Sequence, residues 1–262
     1  MATRTADDRL TIAGIDAVAL KPAEHDLRRA RALPVGTIAI DYEGRDHVPT
    51  HALLEELAAD REVRLTLPIR ADGFDPLGDD TQLDRLPPAV DAVLVAGHGA
   101  YLTGEESERA IAPRLRAARE RFPEAWIGTE GIERLSAATG GPQFELLSGS
   151  TPRDLRALRA AGFDATLAVY APTVLSEDED DLLDALGSYV ARRGPVADTL
   201  SEDTATDASA TGQDRETLLD AIDDYALVGS PETVSKRVER LREAGADVIV
   251  GYPARGLDTL LD

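Results

Sequence analysis

His98 stands between two glycines in Ala96-Gly97-His98-Gly99-Ala100, directly after the apolar run Val93-Leu94-Val95. An imidazole titrates near neutral pH and can hold or pass a proton. Gly97 beside it, with no side chain, lets a ligand approach the backbone. Asp41 and Glu43 follow a second apolar run, Ile38-Ala39-Ile40, and Glu130 follows a third, Trp126-Ile127-Gly128. Carboxylates so placed can act as bases or hydrogen-bond a substrate. Lys21 follows Val18-Ala19-Leu20 and is one of only two lysines, the other being Lys236. An amine there can form a Schiff base or bind an anion. Each group has a plain structural alternative. Lys21 can pair with Glu24, Asp41 or Glu43, and His98 can be an ordinary hydrogen-bonded histidine. The chain also carries 49 acidic residues, so only position singles out three of them.

Further candidates sit on connecting segments. Arg70 and Asp72 open a long Gly-, Asp- and Pro-containing loop, Arg70 to Asp80, of the kind that binds or covers a substrate. Arg70 can clamp a carboxylate or phosphate, or form a salt bridge with Asp41 or Asp72. Tyr170 ends the run Leu167-Ala168-Val169 and, with Glu43, is a candidate for substrate contact. Thr173, Gly251, Arg255 and Gly256 lie on the last two such junctions and are candidates for a phosphate-bearing cofactor. His25, His47 and His51 fall on helical or loop segments and are expected at the surface. No metal-ligand spacing joins these residues.

Eight apolar runs end in these polar clusters, and most are separated by segments of helical periodicity. A buried parallel strand is apolar along its length and meets ligand only at its carboxyl end. The pattern predicts a single α/β domain over 1–262, a (β/α)8 barrel whose strand ends form the floor of a site. An open doubly wound sheet is the rival, but its first turn is glycine-rich, and here that turn is Lys21-Pro22-Ala23-Glu24. Helices are expected at 24–32, 51–60, 104–121, 132–139, 151–161, 177–193, 215–225 and from Ser230 to Ala244. The segment 197–214, built of Ser, Thr, Asp and Ala, is expected to be a flexible acidic insertion. Two helix–strand joins repeat, Ala160-Ala161-Gly162-Phe163-Asp164 and Glu243-Ala244-Gly245-Ala246-Asp247, with glycine supplying the helix stop.

Composition narrows the partners. The net charge is −21 and cysteine is absent. That combination excludes disulfides and thiolate chemistry and disfavours a nucleic-acid backbone as partner. No run is long enough to span a membrane. The polar start, Met1 to Arg9, has no apolar signal core, so a cytoplasmic location is expected. Strong acidity with arginine in place of lysine points to a salt-adapted, haloarchaeal cytoplasm. A small-molecule partner is expected, and self-association is possible.

The segment Tyr225-Ala226-Leu227-Val228-Gly229-Ser230-Pro231-Glu232-Thr233-Val234, continued by Arg237, Leu241, Ala244-Gly245-Ala246-Asp247 and Val248-Ile249-Val250, resembles the carboxyl end of the luciferase-like monooxygenase superfamily. There a "VGxPexV" turn opens a long helix and an "AGxD" turn feeds the last barrel strand. The resemblance implies a (β/α)8 oxidoreductase that uses a flavin (FMN) or coenzyme F420. Archaeal members reduce methanopterin-bound carbon or other small substrates. His98, Asp41 or Glu130 would then manage protons beside the cofactor ring. The chain departs from the pattern in its shortness, in its brief connections after strands five and six, and in lacking an arginine or serine cluster matching the family's cofactor-phosphate contacts. Two readings stay open beside the redox one: a cofactor-free lyase or aldolase barrel using Lys21, and a non-catalytic barrel that binds a small molecule.

Overall fold

In this computed structural model the described residues are 6–201 and 203–261. The first five residues of the polar amino terminus lie outside them. The strands are β1 (Ala17–Leu20), β2 (Thr37–Ile40), β3 (Glu62–Pro68), β4 (Val90–Val95), β5 (Trp126–Gly128), β6 (Gln143–Leu146), β7 (Leu167–Val174), β8 (Leu227–Val228) and β9 (Val248–Pro253). All pair in parallel. β1 through β7 pair in sequence, β7 pairs with β9, and β9 returns to β1 through Ala17↔Val250 and Val18↔Gly251. That last pairing closes the barrel and removes the open-sheet alternative. β8 adds only two residues beside the carboxyl end of β7.

The helices are α1 (Ala6–Ala13), α2 (His51–Ala58), α3 (Gly104–Ser107), α4 (Ile111–Arg121), α5 (Glu133–Thr139), α6 (Thr151–Ala160), α7 (Glu179–Ala191), α8 (Gly194–Ala197), α9 (Gly212–Tyr225), α10 (Pro231–Ala244) and α11 (Asp258–Leu261). After β1 a 3-10 helix, Leu27–Ala32, with Asp26 accepting from the Arg28 N–H, replaces the expected longer helix. The single helix expected over 104–121 is two. Pro113 cannot donate to the carbonyl four residues back and its ring would clash there, so a continuous helix breaks. As the third residue of α4 it costs nothing, because first-turn N–H groups have no intrahelical partner. The α10 start is as expected: Ser230 caps it through the Thr233 N–H at 3.2 Å, with Pro231 next. Both repeated joins turn on left-handed glycines, Gly162 at φ +82° and Gly245 at φ +122°.

Among the described residues of the segment 197–214, the Ala208 N–H donates to Asp184 of α7 at 2.8 Å, and Thr204 donates to Asp214, in the first turn of α9, at 2.7 Å. A Cβ at Gly187 of α7 would lie 2.2 Å from the Thr206 carbonyl oxygen, so helix and segment are in direct backbone contact.

Alternation along each strand sends two sets of side chains in opposite directions. Outward-facing residues such as Val18, Ile38, Leu65, Leu94 and Ile127 pack under the helices. Inward-facing residues fill the lumen: Ala17, Ala19, Ala39, Val93, Trp126, Phe144, Ala168, Tyr170, Val250 and Tyr252. The lumen is therefore uneven. Alanines line β1 and β2, while the aromatic side chains come from β5, β6, β7 and β9. That asymmetry leaves a space near the carboxyl ends.

Candidate active site

The space is a cavity of about 540 Å³ at the carboxyl ends of the strands, within the usual range for small-molecule sites. Its aromatic wall is a run of rings. Phe144 meets Tyr170 edge-on at 5.7 Å, Tyr170 lies near-parallel to Tyr252 at 6.2 Å, and Trp126, which does not line the cavity, stacks on Phe144 at 5.7 Å. Pro68, Val95 and Leu146 add apolar surface. Beneath the cavity, Arg64 lies over the Trp126 ring at 4.2 Å, pairs with Glu62 and Asp91, and donates to the Glu124 carbonyl. Thr66, one inward position above Arg64, borders the cavity, and its buried hydroxyl has no partner among the described residues.

One side of the mouth is acidic. Asp41 follows β2, where its N–H donates to the Leu20 carbonyl at 2.9 Å. Its carboxylate accepts from the Tyr170 hydroxyl at 3.1 Å. Burial pushes the Asp41 carboxyl up to about 6, against the opposing pull of Lys21 and the Tyr170 hydrogen bond. The same burial holds the Tyr170 phenol well above its ordinary range, helped by the Asp41 charge. Lys21 pairs with Glu24 at 3.2 Å and lies 4.3 Å over the Tyr252 ring, whose hydroxyl donates to Glu24. Glu43 accepts from the Ala23 N–H at 2.8 Å, which fixes the turn after β1.

The opposite side is built from β4, β5 and α7. His98 Nδ1 lies 3.0 Å from the Glu130 carboxylate. That hydrogen bond raises the His98 imidazole above its ordinary value, outweighing burial, and holds Glu130 below its own. Arg193, just past α7, is 3.6 Å from the other Glu130 oxygen, lies over the Tyr189 ring at 4.4 Å and donates to the Tyr189 hydroxyl. Tyr101 leans over the mouth, edge-on to Tyr42 at 5.4 Å, and is itself 46% exposed.

Six residues singled out from the sequence thus meet around one cavity: Lys21, Asp41, Glu43, His98, Glu130 and Tyr170. The others do not border it. Arg70 donates to the Ser107 carbonyl at 2.8 Å, and Asp72 pairs with Arg109 at 2.7 Å. Their loop is pinned by Asp75, 1% exposed, which binds Arg114 at 2.9 Å and Arg109 at 3.2 Å. These pairs anchor the loop to α4 and to the segment before it. Gly97 is packed against the β5 end: a Cβ there would fall 1.9 Å from the Glu130 carbonyl oxygen. Buried Thr173 donates to the Ala171 carbonyl, and Gly251 packs on Thr173 and Ile15. Arg255 pairs with Asp181 at 2.6 Å, and Gly256 serves a turn at φ +82°. His25, expected at the surface, is buried edge-on against Tyr252, with its Nδ1 3.2 Å from the Lys21 N–H. His47 and His51 are exposed, as expected.

Thr66, Phe144, Tyr189, Arg192 and Arg193 also border the cavity and were missed. For Thr66 a signal existed: Arg64, Thr66 and Pro68 alternate with Val63, Leu65 and Leu67, which marks the inward face of β3. For Arg192 and Arg193 no local pattern could do so, because they end a helix rather than a strand.

A flavin or deazaflavin ring fits part of this site. The aromatic wall suits a flat ring, and the unpartnered Thr66 hydroxyl suits a polar ring atom. Thr173, Gly251, Arg255 and Gly256, the residues expected to hold a phosphate tail, do not line the cavity. The basic side chains that do border the space are Lys21, Arg192 and Arg193. Among the described residues no group of three or more His, Asp or Glu could hold a metal ion, and no helix is long and apolar enough to cross a membrane.

Among curated proteins no sequence match is found. Solved structures share the architecture. An F420-dependent secondary alcohol dehydrogenase in complex with an F420-acetone adduct superposes with a TM-score of 0.61 at 12% identity, covering 94% of each chain. Monooxygenase RslO1 from Streptomyces bottropensis gives a TM-score of 0.54 at 16% identity, covering 91% of this chain and 92% of its own. At such identities the likeness is one of fold, a (β/α)8 barrel. By sequence, residues 10–260 match a family of unknown function, DUF7388, and the chain belongs to that family.

Proposed function

We propose that this chain is an oxidoreductase of the luciferase-like type that holds FMN or coenzyme F420 in its mouth cavity and acts on a small organic or pterin substrate. The observation that carries this reading is an aromatic-walled cavity with a proton-handling pair on each side, Asp41–Tyr170 and His98–Glu130. The fold shared with an F420-dependent alcohol dehydrogenase and a monooxygenase supports it. Such a cofactor, when bound, supplies hydride exchange at its ring.

The chain's own residues orient, shield and move protons. Phe144, Tyr170 and Tyr252 give a flat ligand a dry face, and Thr66 offers a hydrogen bond at the floor. Asp41, titrating near 6, can release or accept a proton close to neutral pH, where acid–base catalysis is most effective. The Tyr170 hydroxyl fixes its carboxylate. Across the cavity, His98 keeps its proton to higher pH than a free imidazole because Glu130 stabilises the charged ring. The two pairs can therefore serve as base and acid on one substrate. The acidic surface suits a salt-rich cytoplasm, where these residues would work.

Titration of FMN and F420 against the protein in multimolar KCl, followed by absorbance and fluorescence quenching, tests the reading. One of the two is expected to bind, and the Asp41→Asn variant should abolish the acid limb of the pH–rate profile. Failure of both to bind sinks it. A lyase reading keeps one specific observation, Lys21 at the cavity edge. Borohydride trapping of a carbonyl compound on Lys21 would favour it.

A further inference from the structure

The cavity is electrically two-sided. Asp41, Glu43 and Glu24 gather on the β1–β2 side around a single cation, Lys21. On the other side, Arg192 and Arg193 follow α7 next to His98, with Glu130 as the counter-charge to Arg193 among the described residues. In a chain of net charge −21, two adjacent arginines facing a cavity stand out.

Their hydrogen bonding is incomplete. Arg192 makes no ion pair or side-chain hydrogen bond among the described residues, whereas many of its counterparts elsewhere are paired with Asp or Glu. Arg193 spends one terminal nitrogen on Tyr189 and another near Glu130, and its buried Nε has no partner. The same is true of Nε in Arg61, Arg70 and Arg119, so it is the unpaired Arg192 at the cavity that sets this pair apart. Meanwhile Arg255, the sequence candidate for phosphate, is neutralised by Asp181.

We propose that Arg192 and Arg193 form an anion subsite at the cavity rim, taking a phosphate or carboxylate of the bound molecule. The acidic side around Asp41 would then receive the ligand's proton-donating end, so the ligand enters in one orientation. A guanidinium pair suits such an anion because its donors form a planar fork matching two oxygens. The subsite deepens the functional reading, since it supplies the tail contact that Arg255 and Gly256 do not. It also stands without that reading, because a cofactor-free enzyme would use it for an acidic substrate.

The test compares wild type with Arg192→Gln, chosen because Arg192 is exposed and outside any ion pair. Melting is followed with inorganic phosphate or malonate at constant KCl, and affinity is measured for FMN and for riboflavin, which lacks the phosphate. Phosphate or malonate should raise the wild-type melting temperature, and Arg192→Gln should lose most of that protection. If the anion belongs to the cofactor, FMN should bind wild type at least about tenfold more tightly than riboflavin, and the variant should abolish that preference. If it belongs to the substrate, the flavins should be indistinguishable or fail to bind, while anion protection persists in wild type alone. In that case failure of both flavins to bind removes FMN as the cofactor, equal binding keeps a flavin whose phosphate is not held here, and either way the subsite stands. Equal protection of wild type and variant by both anions, with no FMN preference in either, overturns the proposal.

Discussion

Replacing Asp41 with asparagine should stabilise the protein at neutral and alkaline pH and leave it unchanged in acid. The native Asp41 carboxyl is lifted from 3.8 to about 6, so the folded protein keeps its proton where the unfolded chain has already lost it. Stability contributed by that proton is fully present below about 4, declines as pH rises through about 6, and is absent above it. At about 1.4 kcal/mol per tenfold change in proton affinity, the upper bound is roughly 3 kcal/mol. The carboxylate faces a cavity open to solvent, so about 1 to 2 kcal/mol is the working expectation. Asparagine removes the charge yet keeps an oxygen to accept from Tyr170. Urea denaturation of both proteins from pH 4 to 8, at one salt concentration, gives the difference directly. For a chain of this size the gain corresponds to roughly 2–8 °C in melting temperature. A difference that is flat across the range, or one that favours wild type above pH 7, would refute the assignment of a costly buried carboxylate.

Three further outcomes follow from the same geometry. Glu130→Gln should lower the His98 titration midpoint, read by NMR, to below the free-imidazole value of 6.5, because burial and Arg193 then act unopposed; an unchanged midpoint would mean the pair is not formed in solution. Gly97→Ala should cost about 3 kcal/mol or more, since the new Cβ would lie 1.9 Å from the backbone oxygen of Glu130 and neither strand end can yield; a melt within a degree of wild type would contradict that packing. Asp75→Ala should cost about 3–5 kcal/mol by leaving Arg109 and Arg114 without their buried counter-charge, and limited proteolysis should then cut the loop between Arg70 and Asp80. Uncut loop and unchanged denaturation midpoint together would show that other contacts anchor it.

By itself the sequence determined the barrel and much of its mouth. Parallel strands buried on both faces must be apolar throughout, so their polar ends were visible as Lys21, Asp41, His98, Glu130 and Tyr170, and these meet around one cavity. It also determined the carboxyl-terminal join, because Ser230, Pro231 and Gly245 act through local backbone geometry. What only the tertiary structure decided was the state and company of each group. Arg70 and Arg255 looked as available as any other arginine, yet Ser107 and Asp181, far along the chain, occupy them. Asp41 became a carboxyl that titrates near 6 only when closure of the barrel buried it. Arg192 and Arg193 read as an ordinary helix end until α7 folded across the mouth. Strand ends are legible because burial acts on every residue of a strand. Ion pairing and proton affinity depend on distances between residues a hundred positions apart, and those exist only after the barrel closes.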